Sequence, residues 1–390
     1  MATISPIHAL PNPLKQSVPP LTTSLLKCKS SLDSSIHLKP SNLSGKQRFV
    51  VSVAGKNQEN ISTFIDHKNE PDPEKTEFEE FLKTLPQKRN WDGRMLCQYQ
   101  NNWFPVRDFQ GVLSCQKNFQ ANETDIILAT MPKAGTTWLK ALTFSILNRH
   151  DLDESPLLTS TSHDLIPFLE LDTYRDGQNP GLENIPFPRI FATHIPYRVL
   201  PDSIPGSKCK IIYICRNPLD QFVSHRFFLL KNRLQPEQDP LSLDEAFEMY
   251  CDGIHPFGPF WDHMAEYFQA GLENPDRVLF LKYEELKEDI VSSLKKMAGF
   301  IGAPFSVEEE KQGVVEEIAR LCSMKNMKSL NVNKDGKWNG IIENSSFYRK
   351  GEVGDWKNHL TSSMAGRVEK ILEEKLSGSS GLTFKNYFFK

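Results

Sequence analysis

Four short apolar runs punctuate the chain between residues 126 and 283, and each delivers a residue able to do chemistry. "DIILAT" leads into Met131, Pro132 and Lys133, "RIFAT" into His194, "KIIYIC" into Arg216 and "RVLFLK" into Tyr283. Runs this short, with no polar face, predict buried strands. Between them apolar residues recur at helical spacing over 137–148, 218–231, 242–250, 259–270 and 286–300, the third opened by a Ser242-x-x-Glu245 capping box. Strands alternating with helices predict an α/β fold with a central, mostly parallel sheet flanked by helices. Ligands of such sheets bind beyond the strands' carboxyl ends, so the four delivered groups are expected to share one crevice.

Upstream, "DPEKTEFEEFLKTL" puts Phe78, Phe81, Leu82 and Leu85 at helical spacing among charges, which predicts a short amphipathic helix. Residues 1–58 hold one acid, Asp33, against seven Lys or Arg, with hydroxyl residues throughout and no continuous apolar stretch. That composition fits an organelle transit peptide, plastid over mitochondrion, with "VVSVAG" at 50–55 as the processing zone; the bland reading is a tail that cannot bury a core. The expected organisation is a plastid transit peptide over 1–54, a linker and short amphipathic helix over 55–89, and one P-loop-like domain over 90–390. The alternative address is the cytoplasm.

Composition narrows the function classes. The 390 residues are 39% hydrophobic and carry a net charge of −3, so no global field favours nucleic acid or an anionic membrane. An anion site must be built from a few placed cations. The seven cysteines form no C-x-x-C pair and no metal-ligand spacing with His, which predicts free thiols in a reducing compartment and no metal. No apolar run has the length to span a bilayer. Oligomeric state is not set by any of this.

The stretch "MPKAGTTW" carries the chemistry of a phosphate loop, but its Lys133 precedes Gly135 where the nucleotide P-loop places lysine after its last glycine. Gly135 removes a side chain where a phosphate approaches backbone, and the helix beginning at Thr136 or Thr137 aims free N–H groups at that point. Lys133 adds a charge, Thr136 and Thr137 add hydroxyls, and Trp138 offers a flat face for a purine. Taken alone, the same residues are a solvated lysine and a core tryptophan. Arg216 and Ser224, eight apart, and Arg349, Lys350 and Gly351 in "FYRKGEVGDWKN" supply a second set of anion donors. Singly these read as a surface arginine, a helix serine and a solvated basic turn. Together, two anion sites flanking an aromatic slot suggest a nucleotide phosphorylated at two ends of its ribose.

The ordered set "PKAGTTW", "THIPY", "CRNPLDQFVS", "LKYEEL" and "RKGEVGDWKN" resembles the motifs of the soluble sulfotransferases that use 3′-phosphoadenosine 5′-phosphosulfate (PAPS), in the flavour of the plant flavonol sulfotransferase-like branch. The resemblance implies that Lys133, Ala134, Gly135, Thr136, Thr137 and Trp138 wrap the 5′-phosphosulfate, with Trp138 and Tyr283 against adenine and "LCSM" at 321–324 bordering it. It implies that Arg216, Ser224, Arg349, Lys350 and Gly351 hold the 3′-phosphate. His194 would be the base that takes the proton of an acceptor hydroxyl, while Lys133 stabilises the leaving phosphate, in line and with no metal.

Some positions depart from the family pattern. Ala134 stands where Ser is frequent, Ala192 replaces a lysine often found two before the histidine, and Asn217, Leu219 and His225 alter "RNPLDQFVSH". Ser362 and Gly366 replace residues of the animal dimer motif, so that dimer is not expected. Aromatic-rich stretches at 99–113, 166–177 and 253–264 can wall an apolar acceptor pocket, or serve as core. Flavonoids, hydroxyjasmonates, brassinosteroids and desulfoglucosinolates all fit as acceptors. The competing readings are a nucleotide-binding protein with weak catalysis and, against the loop's lysine position, a kinase.

Overall fold

The computed structural model describes residues 73–175, 177, 180–233 and 239–376. The expected transit segment therefore lies outside the described residues. Helix α1 (Pro73–Thr84) is followed by β1 (Gln87–Arg89), β2 (Met95–Tyr99) and β3 (Asn102–Pro105), an antiparallel sheet in chain order. β2 and β3 are joined by a two-residue turn in which Gln100 and Asn101 both have positive φ, the hairpin geometry that matches strand twist. The amphipathic face of α1 packs on α2 (Val106–Asn118), with Phe78 and Phe81 at 6.2 and 6.4 Å from the Phe109 ring. β1 pairs with β2 across residue 90, Gln87 to Arg89 against Cys97 to Met95.

The four apolar runs form the parallel sheet that their pattern predicts. They are β4 (Ile126–Thr130), β5 (Ile190–Thr193), β6 (Lys210–Cys215) and β7 (Val278–Lys282), in the order β5-β4-β6-β7. Alternate residues feed two separate cores: Ile127, Ala129, Ile211 and Tyr213 one, Ile126, Leu128, Ile212 and Ile214 the other. Burial on both faces is why these strands read as unbroken apolar runs. Helices α3 (Thr136–Leu147), α4 (Ser162–Leu165), α5 (Ser203–Gly206), α6 (Pro218–Lys231), α7 (Leu243–Cys251) and α8 (Phe260–Glu273) connect or cover the strands. Ser242 and Glu245 cap α7 reciprocally, as their spacing predicts.

The segment 286–300 holds a break that apolar spacing concealed. After α9 (Tyr283–Glu288), Asp289 leaves helical geometry at φ −137° and its carboxylate takes the Ser292 N–H at 3.0 Å, capping a second helix, α10 (Ile290–Phe300). The chain leaves β4 for β5 on one side and then places β6 on the other, so the carboxyl end of β4 is the switch point of the sheet. All six described cysteines are buried free thiols.

At the opposite end of β4, Asp125 is fully buried and takes the Arg189 guanidinium through Nε at 2.8 Å. Arg189→Ala leaves that carboxylate unpaired, at an expected cost of about 3–5 kcal/mol in denaturant unfolding. Lys208→Ala, which breaks an exposed pair with Glu123, is expected to cost under about 1 kcal/mol. Equal losses in the two variants would contradict this assignment.

Candidate active site

The turn leaving β4 is held in an uncommon backbone conformation. Lys133 sits at φ +66° and Gly135 at +123°, and a Cβ on Gly135 would lie 3.0 Å from the Tyr283 ring. A left-handed non-glycine residue costs of order 1 kcal/mol or more, so surrounding contacts must hold it. One is Gln221 on α6, whose side-chain N–H donates to Pro132 O at 2.7 Å. α3 begins immediately after Gly135, presenting its unpaired first-turn N–H groups to the same point. The Lys133 ammonium lies 4.3 Å over the Phe228 ring and, among the described residues, donates only to Ser346 O, at 3.4 Å. Burial, then repulsion from Arg216 and Arg349, pushes its pKa down to about 7.

Arg216, which follows β6, lies 4.6 Å over the Tyr283 ring and donates to Glu352 O at 2.7 Å, while its buried Nε has no hydrogen-bond partner among the described residues. Tyr283 in turn donates to Gly351 O at 3.1 Å and meets Trp138 edge-on at 5.4 Å. Gly351 sits at φ +68°, a conformation that suits glycine. Arg349 and Lys350 both pair with Asp355, at 2.7 and 2.6 Å. Burial would raise the Asp355 pKa, but hydrogen bonds from Lys350, Arg349 and Asn358 hold it well below the carboxylate range. This loop is pinned to α6 by Asp220, which accepts the N–H groups of Gly354 and Trp356 at 2.7 and 2.9 Å. Ser224 follows one turn later on the same helix.

His194 ends β5 beside the lysine turn. Its Nδ1 donates to Thr130 O at 2.7 Å, which leaves Nε2 as the ring's acceptor. Burial pushes its pKa down to about 3; the Thr130 bond opposes that shift, and Lys140, His263 and Lys133 add to it. The ring is therefore neutral. Its backbone N–H donates to Glu170 Oε1 at 2.7 Å, and the Thr193 hydroxyl to Glu170 Oε2 at 2.9 Å. Burial raises Glu170 to about 7 against these stabilising bonds.

Every residue expected at the site lines one cavity of about 570 Å³ except Ala134, which is fully buried behind the loop. Arg89, Arg94 and Arg107 line it as well, with Asp92 and Asp108 beside them. Met95, Leu96, Val106, Phe168 and Phe257 line the same space, so each of the three aromatic-rich stretches contributes to its wall. Met324 of "LCSM" lines it too, and also an adjoining cavity of about 180 Å³ beside Trp138 and Tyr283.

Three residues at this centre were not singled out from the sequence. Glu170 holds the His194 turn, and Lys140 and His163 lie buried between α3 and α4, their Nζ and Nδ1 3.0 Å apart. Ala192 brings no charge to the site, but the Lys140 ammonium lies 3.5 Å over Phe168, whose backbone bridges Ala192. The legible signal was a lysine inside the apolar helix "TTWLKALTFSIL" and an acid inside "IPFLEL", each costly to bury without a task.

A parallel sheet with a cationic, helix-capped turn at its switch point and a neutral histidine beside it defines a group-transfer enzyme for an anionic donor. Residues 123–380 match the family described as the sulfotransferase domain. The chain belongs to that family. It is 46% identical over 316 residues to Cytosolic sulfotransferase 15 of Arabidopsis thaliana, covering 79% of this chain and 87% of the relative. Against a flavonol sulfotransferase-like protein of Flaveria bidentis it is 44% identical over 315 residues, covering 79% and 100%. The crystal structure of mouse sulfotransferase SULT7A1 complexed with PAP superposes with a TM-score of 0.58 at 31% identity, covering 75% of this chain and 98% of that one.

Proposed function

We propose that this enzyme transfers the sulfuryl group of PAPS to a hydroxyl of a small hydrophobic plant metabolite, releasing 3′-phosphoadenosine 5′-phosphate (PAP) and the sulfate ester. The observation that carries the reading is one cavity lined by Lys133, which has no carboxylate partner among the described residues, by Arg216, Arg349 and Lys350, and by the Tyr283 and Trp138 rings. That arrangement suits a nucleotide with anionic groups at two positions of its ribose. The PAP-bound state of the mouse relative supports it.

On this reading Lys133 to Trp138 and the start of α3 hold the 5′ end, with Trp138 and Tyr283 beside adenine. Arg216, Ser224, Arg349, Lys350 and Gly351 hold the 3′-phosphate. The orphaned Nε atoms of Arg216 and Arg349 fit that task, since buried guanidinium donors need acceptors. His194 Nε2 takes the acceptor's proton as its oxygen attacks sulfur in line. Lys133 stabilises charge growing on the bridging oxygen as the sulfur–oxygen bond to the phosphate breaks. The part of the cavity walled by Met95, Leu96, Val106, Phe168 and Phe257 receives the acceptor's body.

Donor selectivity tests the nucleotide assignment. PAP is expected to bind far more tightly than adenosine 5′-phosphate, since each charge-assisted bond to the 3′-phosphate contributes about 1.5–3 kcal/mol. Equal affinities in a calorimetric titration would remove Arg216, Arg349 and Lys350 from that role.

His194→Asn keeps a polar side chain but cannot carry a proton at neutral pH, so turnover is expected to fall by about 10²- to 10⁴-fold with PAP affinity nearly unchanged. Lys133→Ala is expected to weaken both. Because the free Lys133 titrates near 7 and a bound phosphate raises that value, PAP affinity is highest below pH 7 and falls as pH rises above it. Lys133→Ala reduces that slope. Near-normal turnover of His194→Asn with the best acceptor of a hydroxylated panel would exclude the base assignment; PAPS binding with no turnover of any acceptor would favour a binding protein.

The address is a separate matter. The acid-poor composition of residues 1–54 supports plastid import, whereas relatives such as Cytosolic sulfotransferase 15 carry the other location in their name. A reporter fused to these residues is expected to enter plastids and be trimmed. A full-length reporter spread through the cytosol would establish the cytoplasmic alternative.

A further inference from the structure

We propose that Lys140 and His163 form a buried relay that fixes the Thr137 hydroxyl as a donor to the 5′ anion of the bound nucleotide, an assignment that rests on the PAPS reading above. The three groups make one chain. Lys140 Nζ lies 3.0 Å from His163 Nδ1, and His163 Nε2 lies 3.1 Å from Thr137 Oγ1. Lys140 and His163 are buried, and Thr137 and His163 both line the cavity. Lys140 does not, and its ammonium instead faces the Phe168 ring.

The direction of the chain follows from what each group can do. An ammonium only donates, so His163 Nδ1 accepts and its single ring proton resides on Nε2. That proton is donated to Thr137 Oγ1. The threonine hydroxyl, whose oxygen makes no other hydrogen bond among the described residues, is left with its own proton aimed away from His163. The lysine thus sends its polarity to the cavity through two neutral groups. Bonds in such a chain reinforce one another in a low-dielectric setting.

The surroundings hold the chain in this state. The His163 ring stacks on Phe168 at 5.6 Å and touches Phe347 at 4.2 Å, which fixes its plane. Burial is the largest influence on Lys140 and brings its pKa down to about 7 against the nearby Asp172, Glu170 and Asp164 carboxylates, so the ammonium that heads the chain is fully present below pH 7. Burial and the lysine together keep His163 neutral, the form that accepts at one nitrogen and donates at the other. Ser162 ties α4 to α3 by donating to Thr137 O at 3.2 Å, so Thr137 is gripped at both its backbone and its hydroxyl. Lys140 and His163 are positioning residues, reaching the ligand through Thr137.

The test is titration of the full chain with PAP and, separately, with adenosine 3′-phosphate, which lacks the 5′ group. Thr137→Val, Lys140→Met and His163→Leu are each expected to weaken PAP binding by about tenfold, the scale of one charge-assisted bond. Binding of adenosine 3′-phosphate is expected to be unchanged. Paired variants are expected to lose no more than the worst single, since each breaks the same chain. His163→Gln retains a donor within reach of Thr137 and is expected to keep most of the affinity; it also serves if His163→Leu fails to fold. Melting temperatures identify any variant whose loss is one of structure. Additive losses, equal losses with both nucleotides, or wild-type PAP affinity in Lys140→Met and His163→Leu would overturn the relay. A wild-type chain that binds adenosine 3′-phosphate and PAP equally would overturn it too, while one that binds neither would overturn the nucleotide reading itself.

Discussion

The Lys133 ammonium is enclosed in the turn between β4 and α3 with two aromatic rings and one carbonyl for company. Among the described residues it has no ion-pair partner, and its nearest charged neighbours of consequence, Arg216 and Arg349, repel it. A positive group in that position stores unfavourable energy that an anion bound beside it would release. The rest of the site is arranged around that imbalance. The start of α3 adds partial positive charge from the same side, and Tyr283 carries Arg216 over its ring while touching Trp138 and Gly351.

Nearby carboxylates could have cancelled this charge, but three are bound to backbone N–H groups instead. Glu170 holds the N–H of His194, Asp220 those of Gly354 and Trp356, and Glu284 that of Asn217, at 2.9 Å. Each pins a segment that carries a cavity residue: His194 itself, the Arg349–Lys350 loop, and Arg216. Loops that would otherwise bury unsatisfied donors are rigid because these acids accept from them. Asp355 instead pairs directly with two cations of the site, Arg349 and Lys350. The net positive field around Lys133 is a consequence of how the loops are fastened.

Much of this was legible because the relevant signals are local. The parallel strands were written as continuous apolar runs, and the phosphate turn as Pro, Lys and Gly between a strand and a helix. Capping residues marked the start of α7 correctly, whereas Asp289 was passed over because the apolar rows of α9 and α10 stay nearly in phase across it. β1 to β3 escaped notice since their residues alternate poorly and pair only with one another. Glu170 and Lys140 showed in the sequence only as charges inside apolar runs, and their task, like that of His163, stayed hidden for a different reason. Their partners lie at separations such as 23 and 24 residues, and only the folded chain shows what compensates their burial.

The same field governs the histidine. In the free protein His194 is neutral because the site is desolvated and already positive, so its Nε2 lone pair is available yet protonation there is unfavourable. An anion bound against Lys133 changes that balance without moving the ring. Negative charge nearby offsets the repulsion from Lys133 and Lys140, and an imidazolium at His194 becomes affordable only then. On the proposed reading, base strength is therefore coupled to donor occupancy. An acceptor entering the cavity alone meets a weak base, and one that enters beside a bound nucleotide meets a stronger one. On that reading, the electrostatics of the loop link donor binding to proton removal.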